Sequence, residues 1–274
     1  MKLESQAVVD NRMQPMASPL SVRAHYYGVF LSFRCPFSCS FCVRRFHADR
    51  LAQYEEISGN RWIDYLSMLH TDGLPLVFQG GEPGLHRDFA EIIHFLSPLH
   101  RIQIVTNLAF DVRKFAKTVD PALLNRETDL IPILACFHPE EFTPQEFVER
   151  AFYLHAAGFR MRITGFTDST RQRAMDEMIL LSKDNGLDFK QAEFLDWYQD
   201  RFYGGSEGLL YAQLDHEANR LPALLYAPDG SIHGSHHHLY EKAQPMGHIF
   251  DRTFVCPHPP DAHVFCGAHA CAEA

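Results

Sequence analysis

The sequence predicts an α/β fold built on a parallel β-sheet. Short apolar, β-rich runs alternate along the chain with longer segments of helical period, and this alternation is typical of βα units. Right-handed crossovers between parallel strands then leave two architectures, an open doubly wound sheet or a barrel. In both, ligands bind at the carboxyl ends of the strands. The most unusual residues of this chain fall at those strand ends, so we expect a functional site there.

Six strands and five helices follow from the periodicity. The strands are predicted at 25–33, 74–80, 101–107, 129–137, 159–166 and 188–197. The helices between them are predicted at 59–73, 87–99, 111–119, 143–158 and 169–186. The fourth helix has the clearest start, with Thr143 at the N-cap, Pro144 in the first turn and Glu146 at the capping-box position. Ser169 is the expected cap of the fifth helix.

The chain divides into three segments. They are an N-terminal extension at 1–23, a main α/β region at 24–204 and a C-terminal extension at 205–274. In the last segment, "LPALLYAPDGSIHGS" (221–235) predicts two strands joined by a Pro-Asp-Gly turn. The tail after it is rich in Pro, His and Cys and has no clear period. We therefore expect an extension of the main region and not an independently folding domain.

Charge and composition exclude several classes of partner. The formal net charge is −9, which argues against nucleic acid as the main partner, although Arg44 and Arg45 are a local basic candidate. No apolar run approaches the roughly 20 residues that a membrane helix needs. The first residues lack the apolar core of a signal peptide. We therefore expect no membrane partner and a cytoplasmic location, where cysteines bind metal or do chemistry more often than they form disulfides.

Three of the seven cysteines lie in "RCPFSCSFC" (34–42), at Cys35, Cys39 and Cys42. Pro36 and the neighbouring serines make this stretch a poor helix, so burial of the three thiols on one helix face is disfavoured. Structural zinc takes four ligands, commonly in two close pairs, whereas only three thiols cluster here. Thiolates also hold iron–sulfur clusters. Three thiolates on a four-iron cluster leave one iron open, and a substrate can bind at that position.

With Phe41 directly before the third cysteine, the motif resembles the signature of radical S-adenosylmethionine (SAM) enzymes. The resemblance implies a partial, TIM-like (βα)6 barrel and a 4Fe–4S cluster on Cys35, Cys39 and Cys42. It also implies that the open iron binds SAM. The reduced cluster would then cleave SAM to methionine and a 5′-deoxyadenosyl radical, which abstracts hydrogen from a substrate. An electron donor such as flavodoxin or ferredoxin is the implied protein partner.

A second match, "QGGEP" (79–83), follows the second predicted strand. It resembles the GGEP motif of the same family, which implies that Gly80, Gly81, Glu82 and Pro83 lie at the amino group of SAM. Glycines allow a close approach of backbone, and the carboxylate of Glu82 can accept hydrogen bonds from an ammonium. The order of the two motifs along the chain therefore supports the resemblance.

A third match is partial. "RITGFTD" (162–168) resembles the end of the family's GxIxGxxE pattern through Ile163 and Gly165, with Asp168 where Glu is usual. Met161 stands where the first glycine is usual. An ordinary strand that ends in a turn explains this stretch equally well. The resemblance implies that the three matching residues contact the cofactor.

Polar residues also end the third and fourth predicted strands. Thr106 and Asn107 end the third strand, and His138 ends the fourth. The resemblance implies that they face the same cavity as the cysteines, where they would contact SAM or the substrate. A structural capping role is an equal alternative for each. Cys136 ends an apolar strand, and burial is its expected role.

Three further cysteines, Cys256, Cys266 and Cys271, lie in the C-terminal extension. The hairpin and the following "PMGHI" (245–249) resemble twitch or SPASM extensions, which carry an auxiliary 4Fe–4S cluster. Ser235 stands where the hairpin cysteine is usual and His248 where Asn is usual, so the pattern is degenerate. A second cluster, a zinc ion held by Cys and His, and a loose tail with unliganded thiols are the three alternatives.

Two classes of function remain open. The first is a radical SAM enzyme that acts on an unidentified substrate. The twitch-like tail favours a peptide or a natural-product intermediate as that substrate, and a small metabolite is the alternative. The second is a non-catalytic module that binds iron–sulfur clusters or zinc through both cysteine groups. No residue is assigned as a catalytic acid, base or nucleophile.

Overall fold

The computed structural model describes residues 26–39, 42–166, 171–192, 195–198, 201–204, 209–210 and 224–251. It contains a nine-stranded sheet, a separate three-stranded sheet and flanking helices. Five residues with predicted roles lie outside the described residues: Phe41, Asp168, Cys256, Cys266 and Cys271. Within the described ranges, no helix combines the length and the apolar character needed to cross a membrane.

The strands carry the labels β1 to β12 in chain order. They are β1 Tyr27–Phe30, β2 Leu76–Gln79, β3 Ile102–Thr106, β4 Ile133–Phe137, β5 Met161–Phe166, β6 Phe189–Ala192, β7 Leu195–Tyr198, β8 Arg201–Gly204, β9 Leu209–Leu210, β10 Leu224–Tyr226, β11 Ser231–His233 and β12 Gly247–His248. The first five fall within the predicted strands. The sixth prediction, 188–197, is wrong in extent, because β6 ends and β7 joins the three-stranded sheet.

The helices carry the labels α1 to α9. They are α1 Val43–Phe46, α2 Ala48–Leu51, α3 Gly59–Leu66, α4 Phe89–Leu96, α5 Val112–Thr118, α6 Pro121–Leu124, α7 Pro144–Ala156, α8 Gln172–Asp184 and α9 His236–Tyr240, with a 3-10 turn at Pro83–Leu85. The capping box of Thr143 and Glu146 at the start of α7 is confirmed. The predicted cap of α8 is wrong, because Arg171 and not Ser169 occupies the N-cap position.

The six strands β1 to β6 pair in chain order, and every pair is parallel. Helices connect them, so the parallel α/β fold predicted from the alternation is confirmed. The hairpin of the C-terminal extension is also present. Its strand β10 pairs parallel with β1, and β11 and β12 follow antiparallel. The strands β10 to β12 of the extension are thus continuous with the main sheet, whereas β9 belongs to the three-stranded sheet.

Alternate residues of each strand point to opposite faces of the sheet. One face packs against α3, α4, α5, α7 and α8 through a large apolar cluster that includes Val29, Phe78 and Ile163. The opposite, inner face carries Phe30, Val77 and Leu225. Leu239 of α9 is fully buried against this inner cluster. A residue's position along a strand therefore decides whether it faces the helices or the interior where a ligand could lie.

Candidate functional site

The loop after β2 is bonded directly to the segment that leads into Cys35. The backbone N–H of Gly81 donates to the carbonyl of Ser32 at 3.1 Å, and that of Glu82 donates to the carbonyl of Arg34 at 2.8 Å. These bonds extend the parallel pairing of β1 and β2 beyond the ends of both strands. The two motifs that the sequence singled out are therefore held side by side.

Glycine is required in the loop after β2. A Cβ atom on Gly81 would lie 2.3 Å from the carbonyl oxygen of Arg34. A Cβ on Gly80 would lie 2.8 Å from the carbonyl oxygen of Ser32, and the φ angle of Gly80 is +134°. Both contacts are with backbone, which cannot swing away as a side chain can. The glycine pair therefore allows this loop to lie close to the backbone that leads into Cys35, and its expected contact with SAM stays a prediction.

The cysteine loop is held in place by its own arginines. Arg44 donates from Nη2 to the carbonyl of Phe37 at 2.7 Å. Arg45 donates to the carbonyls of Ser38 and Cys39 at 3.4 and 3.5 Å. Both guanidinium groups therefore turn back onto the loop. The structure gives them this bracing role, where the sequence had marked them as a local basic patch.

The three clustered cysteines form no disulfide with any described residue, and they lie before or at the N-cap of α1. Burial raises the pKa of the Cys35 thiol. Burial, and then the neighbouring thiols Cys42 and Cys35, raise the pKa of Cys39 to about 12. Joint ionisation of the cysteines therefore needs a cationic occupant that offsets burial and mutual repulsion. Three soft sulfurs, one buried and two half-buried, suit an iron–sulfur cluster.

The number of thiols bears on the metal group that they could hold. In the part of the chain that the structure describes, no three His, Cys, Asp or Glu side chains converge on one ion. Structural zinc takes four ligands, whereas three thiolates can each bind a different iron of a four-iron cluster. The residues present therefore fit such a cluster, and a zinc ion at Cys35, Cys39 and Cys42 would need a fourth ligand.

Glu82 joins the loop after β2 to the end of β3. Its side chain is fully buried. The carboxylate accepts from the Thr106 hydroxyl, from the Asn107 backbone N–H at 2.8 Å and from the Gly84 backbone N–H at 3.0 Å. Burial raises the pKa of Glu82 to about 7 although these donors oppose the shift. Protein groups thus surround the carboxylate, and its predicted contact with a SAM ammonium stays a prediction.

Asn107 lies against the first cysteine. Its side-chain Nδ2 is 3.3 Å from Cys35 Sγ, and its Oδ1 accepts from the backbone N–H of Ala109 at 2.9 Å. The sequence placed Asn107 at the cavity but did not connect it with a particular cysteine. Because 72 residues separate the two, no local signal could have found the contact.

His138 lies against the second cysteine. Its Nδ1 is 3.4 Å from Cys39 Sγ, and its ring packs edge-on against Phe37. Desolvation lowers the pKa of His138 to about 4, so the imidazole is neutral at physiological pH. The end of β4 therefore contributes to the same site as the ends of β1, β2 and β3. Cys136, two residues earlier, is buried, as predicted.

Ile163 and Gly165 face the helix layer. Ile163 is fully buried in the cluster between sheet and helices. A Cβ on Gly165 would lie 2.3 Å from the Met175 side chain of α8, so glycine gives this methionine room. Close packing of β5 against α8 explains both residues. The side chain of Ile163 does not face the interior, and a cofactor contact for either residue stays a prediction.

Sequence reasoning missed two acidic residues that hold the cysteine loop. Glu56 accepts from Arg34 Nε at 2.7 Å and from Nη2 at 2.8 Å, and also from the hydroxyl of Ser32. Glu141 accepts from the backbone N–H of Ser38 at 2.6 Å. Both lie far from the loop in sequence, so their contacts with it could not be predicted from the spacing of residues along the chain. The adjacency of Arg34 to Cys35 was the sole local signal.

The histidine-rich stretch forms α9. Ser235, which the sequence compared with a hairpin cysteine, caps this helix by accepting from the His238 backbone N–H. The ring of Tyr240 stacks on His47, and Glu241 pairs with His47 and Arg50. The described part of the extension therefore packs against the helices that follow the cysteine loop.

Three comparisons place the chain among known proteins. No family model matches it. A curated "S-adenosylmethionine-dependent nucleotide dehydratase" from Selenomonas ruminantium is 29% identical over 87 residues, which are 31% of this chain and 30% of that protein. The matched segment thus spans less than a third of the relative's length.

Two solved structures are similar. Native anSMEcpe with bound AdoMet and the Cp18Cys peptide has a TM-score of 0.50 at 13% identity, covering 83% of this chain and 78% of that chain. Streptococcus suis SuiB bound to precursor peptide SuiA has a TM-score of 0.47 at 16% identity, covering 62% and 39%. The first likeness, over most of both chains, shows a shared fold.

Proposed function

We propose that this chain, a radical SAM protein by its fold and its cysteine motif, is an enzyme that cleaves SAM at a cluster on Cys35, Cys39 and Cys42. One observation carries the proposal: at the carboxyl edge of a parallel sheet, the segment that leads into Cys35 is hydrogen-bonded to the "QGGEP" loop. When bound and reduced, such a cluster supplies the electron that splits SAM into methionine and a 5′-deoxyadenosyl radical, which takes hydrogen from the substrate.

The loop after β2 would hold the methionine part of SAM. The carboxylate of Glu82 already accepts hydrogen bonds from protein donors. The backbone carbonyl oxygens of Gly80 and Gly81 are therefore the better acceptors for the SAM ammonium. No described donor reaches the carbonyl oxygen of either glycine. Glu82 then acts indirectly, by holding the shape of the loop.

The neighbours of the thiols would shape the rest of the pocket. Asn107 and a neutral His138 present polar atoms beside Cys35 and Cys39. A neutral imidazole adds no positive charge, so it can approach a bound sulfonium without repulsion. The apolar inner face of the sheet, with Phe30 and Val77, would exclude water from a reactive radical.

The substrate class remains a proposal. The twitch-like tail favours a peptide or a natural-product intermediate. A specific observation supports a second candidate, a nucleotide, because the curated relative is named a nucleotide dehydratase. An electron donor such as flavodoxin or ferredoxin would reduce the cluster. A second cluster or a zinc ion at Cys256, Cys266 and Cys271 is likewise proposed, on the basis of the sequence.

Anaerobic reconstitution with iron and sulfide tests SAM cleavage. We expect about four irons at the first site and formation of methionine and 5′-deoxyadenosine after reduction, measured by mass spectrometry. Cys39→Ala should abolish cleavage, whereas Cys136→Ala should retain it, because Cys136 is a buried thiol outside the loop. A Cys39→Ala variant that still cleaves SAM, or a purified protein that carries zinc and does not bind SAM, would contradict the proposal.

A substrate panel separates the two candidates. Nucleoside triphosphates and short synthetic peptides are each added to the reduced, loaded enzyme. The true substrate class should raise the rate of 5′-deoxyadenosine formation, since productive binding positions the hydrogen to be abstracted. Deuterium transfer from labelled substrate into 5′-deoxyadenosine identifies the donor. Stimulation by nucleotides alone would overturn the peptide assignment, and the reverse result would overturn the nucleotide one.

A further inference from the structure

We propose that Asn107 is a positioning residue that raises the reduction potential of the cluster through a hydrogen bond to the Cys35 sulfur. The inference rests on the proposed function, because it assumes that Cys35 ligates a cluster. It assigns Asn107 a role distinct from contact with SAM or with the substrate. Three features of the site support this role: the direction of the amide, the rigidity of its backbone and the other groups that act on the Cys35 sulfur.

The direction of the amide follows from its two partners. The backbone N–H of Ala109 donates at 2.9 Å to the side-chain oxygen Oδ1 of Asn107. An N–H can bond only to the oxygen of the amide, so this contact identifies which atom is which. The NH₂ group must then face the other side, where Nδ2 lies 3.3 Å from Cys35 Sγ. The side chain therefore presents a donor, not an acceptor, to the sulfur.

The backbone of this turn is held by several groups. Glu82 accepts the N–H of Asn107 at 2.8 Å, and the N–H of Leu108 donates to Thr106 Oγ1 at 2.9 Å. Arg150 donates to the carbonyl of Leu108 at 3.1 Å. Leu108 has a φ of +60°, an unfavourable value for a leucine that persists only where neighbouring groups impose it. The amide of Asn107 is thus preorganised.

Other groups also act on the Cys35 sulfur. The backbone N–H of Phe37 and the charge of Arg44 favour negative charge there, whereas the charge of Glu82 disfavours it. Reduction adds one electron, and donors to sulfur stabilise the more negative, reduced form. The amide of Asn107, held 3.3 Å from this sulfur, therefore favours reduction of a cluster bound there.

The expected change in reduction potential follows from the free energy that one such hydrogen bond contributes. Loss of the donor should make reduction less favourable by about three- to tenfold in its equilibrium constant. A tenfold change corresponds to about 59 mV for a one-electron couple. The potential should fall, because the oxidised form loses less stabilisation than the reduced form. Assembly of the cluster depends mainly on the thiols and should be affected less.

The test compares wild type with Asn107→Asp and Asn107→Ala. Asp keeps an acceptor for the Ala109 N–H and replaces the donor that faces Cys35 with an oxygen, whereas Ala removes both. Asn125→Asp is the matched control. Asn125 also bonds through both ends of its amide, to the carbonyl of Gly158 and the N–H of Arg160, but it precedes β4, at the opposite edge of the sheet.

The potential of each reconstituted protein is measured by redox titration with EPR detection, without SAM, beside iron and sulfide content. We expect a lower potential in both Asn107 variants, with Asp below Ala because it adds negative charge, and no change in Asn125→Asp. Equal potentials in loaded wild type and Asn107→Ala would overturn the inference, even if stability changed. A wild-type protein that assembles no cluster would refute the proposed function instead.

Discussion

The hydroxyl of Thr106 lies 2.8 and 2.9 Å from the two carboxylate oxygens of Glu82. This contact fastens the loop after β2 to the end of β3. A buried carboxylate that loses such a donor is destabilised, because burial has already removed its hydrogen bonds to water. The pair therefore makes one structural unit of two segments that the sequence presents as separate motifs.

Thr106→Val should destabilise the protein by about 1–3 kcal/mol, because the substitution keeps the shape of the side chain but removes a donor to a buried carboxylate. The free energy of unfolding, measured in urea on the metal-free protein, checks this value. Thr118→Val is the control, since its hydroxyl bonds only to the Lys114 carbonyl on the exposed side of α5. An effect at Thr106 no larger than that at Thr118 would contradict the prediction.

The pKa of Glu82, raised to about 7 from an ordinary 4.5, predicts a pH dependence. Between these values the folded protein holds a proton that the unfolded chain has released, so stability falls as pH rises through this window. Relative to the non-titrating Glu82→Gln, wild type should lose about 2–3 kcal/mol between pH 4.5 and 7. Unfolding of both proteins across this range checks it. A constant difference would show that the pKa is not raised.

Gly81→Ala should prevent iron loading. A Cβ at Gly81 collides with the backbone of Phe33 and Arg34, so the segment entering Cys35 must shift. The measurement is iron content after reconstitution. Gly186→Ala is the control, because its φ is +66° but nothing lies within 4 Å of the added atom, which costs about 1 kcal/mol of strain alone. Full iron loading in Gly81→Ala would count against a role for this close approach.

Leu239→Ala should release α9 from the helices that follow the cysteine loop. Leu239 is fully buried, and a Leu→Ala change in a core costs about 2–5 kcal/mol. Hydrogen exchange should increase in α9 and across 47–54, where Tyr54 donates to the Leu239 carbonyl at 2.8 Å. Leu180→Ala, at a 62% exposed position, should leave exchange there unchanged. Equal exchange in the two variants would argue against this coupling.

The sequence predicted those parts of the fold that local chemistry specifies. The capping box at Thr143 and Glu146 is a contact across three residues, and it formed as expected. The alternation of apolar strands and helices predicted the parallel sheet. In contrast, the run 188–197 contains no Gly or Pro to mark the point where β6 ends and β7 begins. Periodicity cannot reveal a change of sheet within a continuous pattern.

The site was predictable in its location but not in its bonding. Strand ends brought Asn107 and His138 beside the cysteines. Two of the three partners of Glu82, Thr106 and Asn107, lie 24 and 25 residues away in sequence, so spacing could not show that its carboxylate is satisfied by protein groups. For Ile163, the alternation of side chains along the strand indicates which face of the sheet the residue occupies, and the motif match does not. Its side chain shares a face with helix-contacting residues, and the alternation rule would have placed it there.

The pairing of β10 with β1 bears on the order of events during synthesis. β1, which leads into Cys35, is bordered by β2 on one side and by β10 on the other. The residues of β10 leave the ribosome long after the cysteine loop, and such long-range pairing is slow. Until then one edge of β1 lacks its neighbour. The framework around Cys35, Cys39 and Cys42 is therefore complete only after the hairpin has been synthesised.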